Sequence, residues 1–210
     1  MKKHLLMIAA IVFSVGFISA GAIASVTLAT FADPSLNSSN PLFTVDFLNS
    51  SLTGGWADAR AGLTLEIPYN GNTFSDVWFD MTPVSIIDSF GTTGSGTIRF
   101  FQAGTLINPL VKIDFINGSV SRFGFGADEV FVANNVTITG SEITNTLSDE
   151  EFAFSFANKQ KLLGAAGSTG GFTATAAFTS SAVVGPLVPE PATIALLSIG
   201  ALSLLRRKKH

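Results

Sequence analysis

Six stretches of this chain alternate apolar and polar residues with a period of two, and that rhythm constrains the fold more than any other feature. Leu63, Leu65 and Ile67 alternate with Thr64 and Glu66. Val77, Phe79 and Met81 alternate with Asp76, Trp78 and Asp80. The same beat runs through Val111–Phe115, Val136–Ile138, Phe152–Phe156 and Phe172–Phe178. It is the signature of an antiparallel strand with one face buried. Further strands are expected at Val26–Phe31, Leu42–Phe47, Gly96–Gln102 and Arg122–Phe125. Turns are expected at Asn70-Gly71-Asn72, Gly91–Gly96 and Asn117-Gly118-Ser119. Many short strands with one apolar face predict an all-β fold, an antiparallel β-sandwich of jelly-roll type. Its inner faces would take most of the 19 phenylalanines. The phase puts Phe154 in the core and Thr175 on an outer face. Asp33–Pro41 and Gly164–Gly171 read as loops, and Ser180–Leu187 as a linker.

The two ends read differently. Lys2-Lys3-His4 is a basic start, Leu5–Ile18 is apolar, and Ala22-Ile23-Ala24 is a small-residue cleavage site. That order predicts a signal peptide over 1–24, a signal peptidase as partner and a mature start at Ser25, with Ala20-Gly21-Ala22 as the other candidate site. At the far end, Pro189-Glu190-Pro191 precedes the apolar run Ala192–Leu205 and then Arg206, Arg207, Lys208 and Lys209. The prolines fix their own φ and press the residues before them into extended conformations. As a helix the apolar run would span ~21 Å. A bilayer core is ~30 Å thick. The run therefore predicts a short transmembrane helix, with its basic end held on the cytoplasmic side.

This tail resembles the PEP-CTERM sorting signal of exosortase substrates. The matching residues are Pro189, Glu190 and Pro191, the run Ala192–Leu205, and the basic residues 206–209. The resemblance covers about a tenth of the chain. It implies recognition and removal of the tail by an exosortase, a membrane-embedded transpeptidase. The substrate is then released or attached at the cell surface, often where exopolysaccharide is made.

Three regions follow: a signal peptide (1–24), one β domain (25–185) and a sorting signal (186–210). Between Ser25 and Val188 stand 14 acids and 6 bases, and this balance argues against nucleic acid or anionic lipid as partner. The histidines, His4 and His210, both lie in the terminal segments, and there is no cysteine. Triad hydrolysis, thiol chemistry and ordinary zinc sites are therefore excluded from the domain. Carboxylates remain. Glu66, Asp76 and Asp80 could supply a glycosidase pair, although solvating charges on an outer face account for them more simply. Asp128-Glu129 and Asp149-Glu150-Glu151 are candidate calcium ligands; they match neither an EF-hand nor a repeat-type calcium turn, and a solvated charge run accounts for them more simply, so no cofactor is expected. Trp78, flanked by Asp76 and Asp80 and with Trp56 near in sequence, is a candidate sugar-stacking residue.

The chain is thus expected to be an exported, non-enzymatic surface or matrix protein that crosses the inner membrane and is sorted at its C-terminus. A carbohydrate-binding or polysaccharide-modifying domain is the alternative. A protein that stays anchored by its C-terminal helix is the third reading.

Overall fold

The structure is a computed structural model and describes residues 25–32, 41–55, 62–121, 130–163 and 169–185. The strands are β1 (Ser25–Ala32), β2 (Phe43–Asp46), β3 (Ser51–Gly55), β4 (Leu63–Ile67), β5 (Asn72–Ser85) and β6 (Thr92–Thr93). They continue with β7 (Gly96–Gln102), β8 (Val111–Val120), β9 (Val130–Thr139), β10 (Leu147–Leu163) and β11 (Thr169–Val184). Every pairing is antiparallel, and among the described residues there is no helix.

The strands close on themselves. Pairing runs β11–β10–β9–β8–β7–β5–β4–β1, and β1 then pairs back to β11 from Ser25↔Val183 to Ala32↔Ala177. The result is an eight-stranded barrel rather than the two stacked sheets expected from the sequence. Alternation specifies one buried face per strand, and it is blind to whether the sheet closes. The ribbon β2–β3 fills the remaining gap. Residues 177–183 of β11 pair with β1, while residues 171–174 pair with β2. Residues 72–77 of β5 likewise pair with β4, and residues 80–85 with β3. Two ribbons laid end to end therefore bridge β5 and β11.

Closure around eight strands leaves an interior that side chains can fill. Phenylalanine fills it. Phe43, Phe100, Phe131, Phe154 and Phe178 are buried almost completely. Phe154 lies at the centre, with ring centroids 4.9 Å from both Phe43 and Phe178 and 5.7 Å from Phe79. Outward positions carry Asp80, Arg99, Lys112, Asp114 and Glu151, each partly or fully exposed. Apolar inside and charged outside is the reverse of a transmembrane barrel, whose outer band must be apolar.

Three strands are longer than the short ones expected: β5, β10 and β11 have 14, 17 and 16 residues. Long strands must coil to close, and bulges do this. In β10 the register slips between Ser148 and Glu151 and again between Ala157 and Gln160. Asp149 (φ 51°) and Asn158 (φ 48°) take the extra residue at these points. Asp and Asn tolerate the left-handed region better than other side chains do. The second bulge also explains a miss. Thr175 points outward as expected, but it is 3 % exposed. Asn158 Nδ2 donates to its Oγ1 at 3.1 Å.

Asn117-Gly118-Ser119 makes no turn; it lies inside β8, with Gly118 opposite Ala133. A Cβ on Gly118 would sit 2.6 Å from the Val132 carbonyl oxygen and 2.9 Å from Thr93 Oγ1. The glycine marks a close approach, which is the other meaning of glycine in a strand. The Gly91–Gly96 segment contains β6, whose Thr93 pairs with Gly118 and whose Thr92 pairs with Ser119. Ser180–Val184 is strand rather than linker, because Ser180 is buried and its hydroxyl donates to Ala29 O at 3.2 Å. The strand expected at 122–125, the signal peptide at 1–24 and the C-terminal apolar run lie outside the described residues.

Candidate functional site

The face that carries Trp78 is built by β5, β7 and β8. Alternation holds there: Val77, Phe79 and Met81 are buried, while Asp76, Trp78 and Asp80 point outward. The register sets Trp78 opposite Phe101 and Asp80 opposite Arg99, with Lys112 beyond Arg99. Arg99 Nη2 donates to Asp80 Oδ2. The Arg99 guanidinium also lies over the Phe101 ring, 5.5 Å from its centroid, a cation–π distance. Phe101 is outward-facing yet 3 % exposed. Beside this row, Lys112 Nζ is 2.6 Å from Asp114 Oδ2, and Thr97 Oγ1 donates to Asp114 Oδ1 at 2.7 Å. Burial alone would raise the Asp114 carboxyl, but the hydrogen bonds from Lys112 and Thr97 and the Lys112 charge outweigh it and hold it below the usual range. Asp80, Arg99, Lys112, Asp114 and Thr97 thus bond one another, although Arg99 Nε is buried without a partner. Trp56 lies outside the described residues.

Asp76 stands at a bulge between β4 and β5, with φ 54° and the Gly62 backbone against it. Glu66 is opposite Thr73 of β5 and Thr30 of β1. Asp80 does not converge with the other two carboxylates. Asp80 is seven residues beyond Thr73, roughly 20 Å along the strand, and Asp76 is about 13 Å from Asp80. A glycosidase pair needs about 5–9.5 Å.

Two open grooves, each about 460 Å³, run along the outside of the barrel. The first is lined by Glu66, by Thr30, Thr64 and Ser155, and by Phe31 and Phe178. The second takes Asp149, Glu150 and Glu151 beside Asn134 and Asn135. Among the described residues no group of three His, Cys, Asp or Glu side chains comes close enough to hold a metal ion. Asp128 and Glu129 lie outside the described residues.

Two further acids close turns at the barrel end formed by the β2–β3 turn and the loop before β6. Asp46 accepts from the Asn49 side chain and from the Asn49 and Leu48 amides. Asp88 accepts from the amides of Phe90 and Thr92. Both carboxyls are lowered, by the Asn49 side chain foremost at Asp46 and by the Thr92 side chain foremost at Asp88. These are Asx turns, and their bonds are internal.

The opposite end of the barrel is where the chain enters and leaves. Ser25 pairs with Val183, and Gly185 N–H donates to Thr146 O at 3.0 Å. The sequence pattern hid this convergence, since it depends on which strand closes the barrel. Beyond Gly185 come Pro189, Glu190, Pro191 and the basic residues 206–209, all outside the described residues.

No curated protein and no solved structure matches the chain. Its C-terminal end does match a family, over the residues that follow the last strand: residues 187–209 carry the PEP-CTERM protein-sorting motif.

Proposed function

We propose that this chain is an exosortase substrate whose barrel is delivered to the cell surface or the extracellular matrix and works there without catalysis. One observation carries the reading: the sorting motif at 187–209 begins almost directly after β11 ends at Val184. The N-terminal segment sends the chain through the inner membrane, and signal peptidase frees Ser25. The apolar run Ala192–Leu205 then halts it there, with Arg206–Lys209 on the cytoplasmic side. The exosortase recognises Pro189-Glu190-Pro191 and removes the tail. The non-enzymatic reading is supported by the lack of histidine and cysteine between Ser25 and Val188 and by the distance of Asp80 from Glu66 and Asp76 along β5.

A sugar-binding role for Trp78, with exopolysaccharide as ligand, draws less support. Asp80 is committed to Arg99, and Phe101 beside Trp78 is covered.

Replacing Pro189, Glu190 and Pro191 together by alanine tests the sorting step. The variant should accumulate in the inner membrane with its C-terminus intact. Trimming and surface display like wild type would refute the exosortase reading and leave the tail as a plain anchor.

A further inference from the structure

The barrel end at which the chain enters and leaves is a braced platform. Ser141 N–H donates to Pro109 O at 3.0 Å and Glu142 N–H to Leu110 O at 3.1 Å, so the β9–β10 loop is tied to the β7–β8 loop. Asn70 and Asn72, from the β4–β5 turn, both donate to Glu142 Oε2, at 2.9 and 2.8 Å. Tyr69, the single tyrosine of the chain, packs against the core beside them, with its hydroxyl 3.4 Å from Thr144 Oγ1. Ile143 and Leu147 pack beneath.

Two side chains of this platform have no use inside the barrel. Leu106 and Ile107 are consecutive at the tip of the β7–β8 loop and are 67 % and 77 % exposed. Positive φ at Gly104 (84°) and Asn108 (59°) bends the loop around them. Single exposed aliphatic residues are ordinary. The opposite end also exposes Leu48, Ile87 and Phe90; what distinguishes the Leu106–Ile107 pair is its place on the same end as both chain exits.

Chain length supplies the second argument. Seven Cα steps separate Gly185 from Ala192, the first residue of the apolar run, and seven separate Ile18 from Ser25. Fully extended, either tether reaches about 25 Å at most. While either apolar segment lies in a bilayer, this end of the barrel stays at the membrane surface. The β7–β8 loop stands across the barrel from the β1–β11 exit, so the tether and the loop tip form separate points of support. Glu142 is occupied by two amide donors, and Asp149 and Glu150 lie at the same end, at the start of β10 beside the exit of β11. Tyr69 is a residue type that favours the headgroup level.

We propose that this end of the barrel is a lipid-contact surface, with Leu106 and Ile107 seated in the interfacial layer of the bilayer that holds the C-terminal apolar run. The proposal rests on reading that run as membrane-inserted. It sets the barrel upright, with Pro189-Glu190-Pro191 pinned at the membrane surface beneath it. The Phe90 end then points away from the bilayer.

The absence of cysteine makes the test direct. Ile107→Cys, Phe90→Cys and Ala201→Cys each create one labelling site, at the loop tip, at the opposite end and in the tail. The full chain is reconstituted into phosphatidylcholine vesicles, labelled with an environment-sensitive fluorophore and exposed to quenchers attached to lipid. The labels in Ile107→Cys and Ala201→Cys should shift to the blue and be quenched, while that in Phe90→Cys stays in water. If the tail label is quenched and the Ile107→Cys label behaves like the Phe90→Cys label, the lipid-contact proposal is wrong and the membrane reading of the tail stands. A tail label that stays in water overturns both. Shielding of the Ile107→Cys label only when an exosortase is present would assign the tip to a protein partner and also overturn the proposal.

Discussion

Phe154→Ala probes the barrel at its centre. Phe154 is fully buried, and its ring lies within 6.2 Å of six others: Phe31, Phe43, Phe79, Phe131, Phe152 and Phe178. Removing the ring forfeits about 1.5–3 kcal/mol of transfer free energy. It also leaves a void on the order of 100 Å³, which at ~24 cal/mol per Å³ adds roughly 2.4 kcal/mol if the neighbours hold still. Close packing of six rings, braced by a closed ladder of hydrogen bonds, leaves little room to collapse. The expected cost is therefore about 4–5 kcal/mol, at the upper end for Phe→Ala. In a domain of this size each kcal/mol lowers Tm by ~2–4 °C, so calorimetry should show a drop of roughly 8–20 °C. Thr137→Ala, on the exposed face of β9, serves as the control and should cost under ~0.5 kcal/mol. A loss below ~1 kcal/mol for Phe154→Ala would refute the packed-barrel account, since a cavity of that size cannot be free of cost.

Other variants test local claims. Gly118→Ala should cost about 1–3 kcal/mol in urea unfolding, because its Cβ meets the Val132 carbonyl rather than a movable side chain. Asn158→Ala should cost on the order of 1–3 kcal/mol, since it strips the buried Thr175 hydroxyl of its donor. Asp80→Asn should cost under ~1 kcal/mol by the same measurement, because both partners of its ion pair are well exposed. The carboxyls of Asp46, Asp88 and Asp114 are all lowered in the folded state, so folding favours their ionised form. Their contribution is complete above the unfolded carboxylate value, ~3.9, and is lost as pH falls through the lower folded values. With no histidine between Ser25 and Val188, Tm should change little between about pH 6 and 8 and fall below about pH 4.

Much of this fold was legible because a half-buried strand writes its burial into alternate letters. Leu63–Ile67, Val77–Met81 and Phe152–Phe156 each kept the predicted phase. Three kinds of fact were not written there. Closure depends on β1 finding β11 across most of the chain, and no local pattern encodes it. The strand Ser51–Gly55 is polar and glycine-rich, so it carries no alternation, yet the β2–β3 ribbon needs it to bridge β11 and β5. Bulges at Asp76, Asp149 and Asn158 shift the register by one residue, and this hid the burial of Thr175. The face around Trp78 followed the same division. Its outward direction could be read from alternation, whereas the commitment of Asp80 to Arg99 is a matter of register between β5 and β7. The sorting motif needed no fold at all, because its chemistry is carried by the order of three short segments.

Intact mass spectrometry of the exported protein tests the central claim most directly, because one number reports both ends. The expected product starts at Ser25 and has lost the apolar run Ala192–Leu205 with its basic tail, with or without an added surface group. A product that retains its sequence through His210 would contradict the sorting reading.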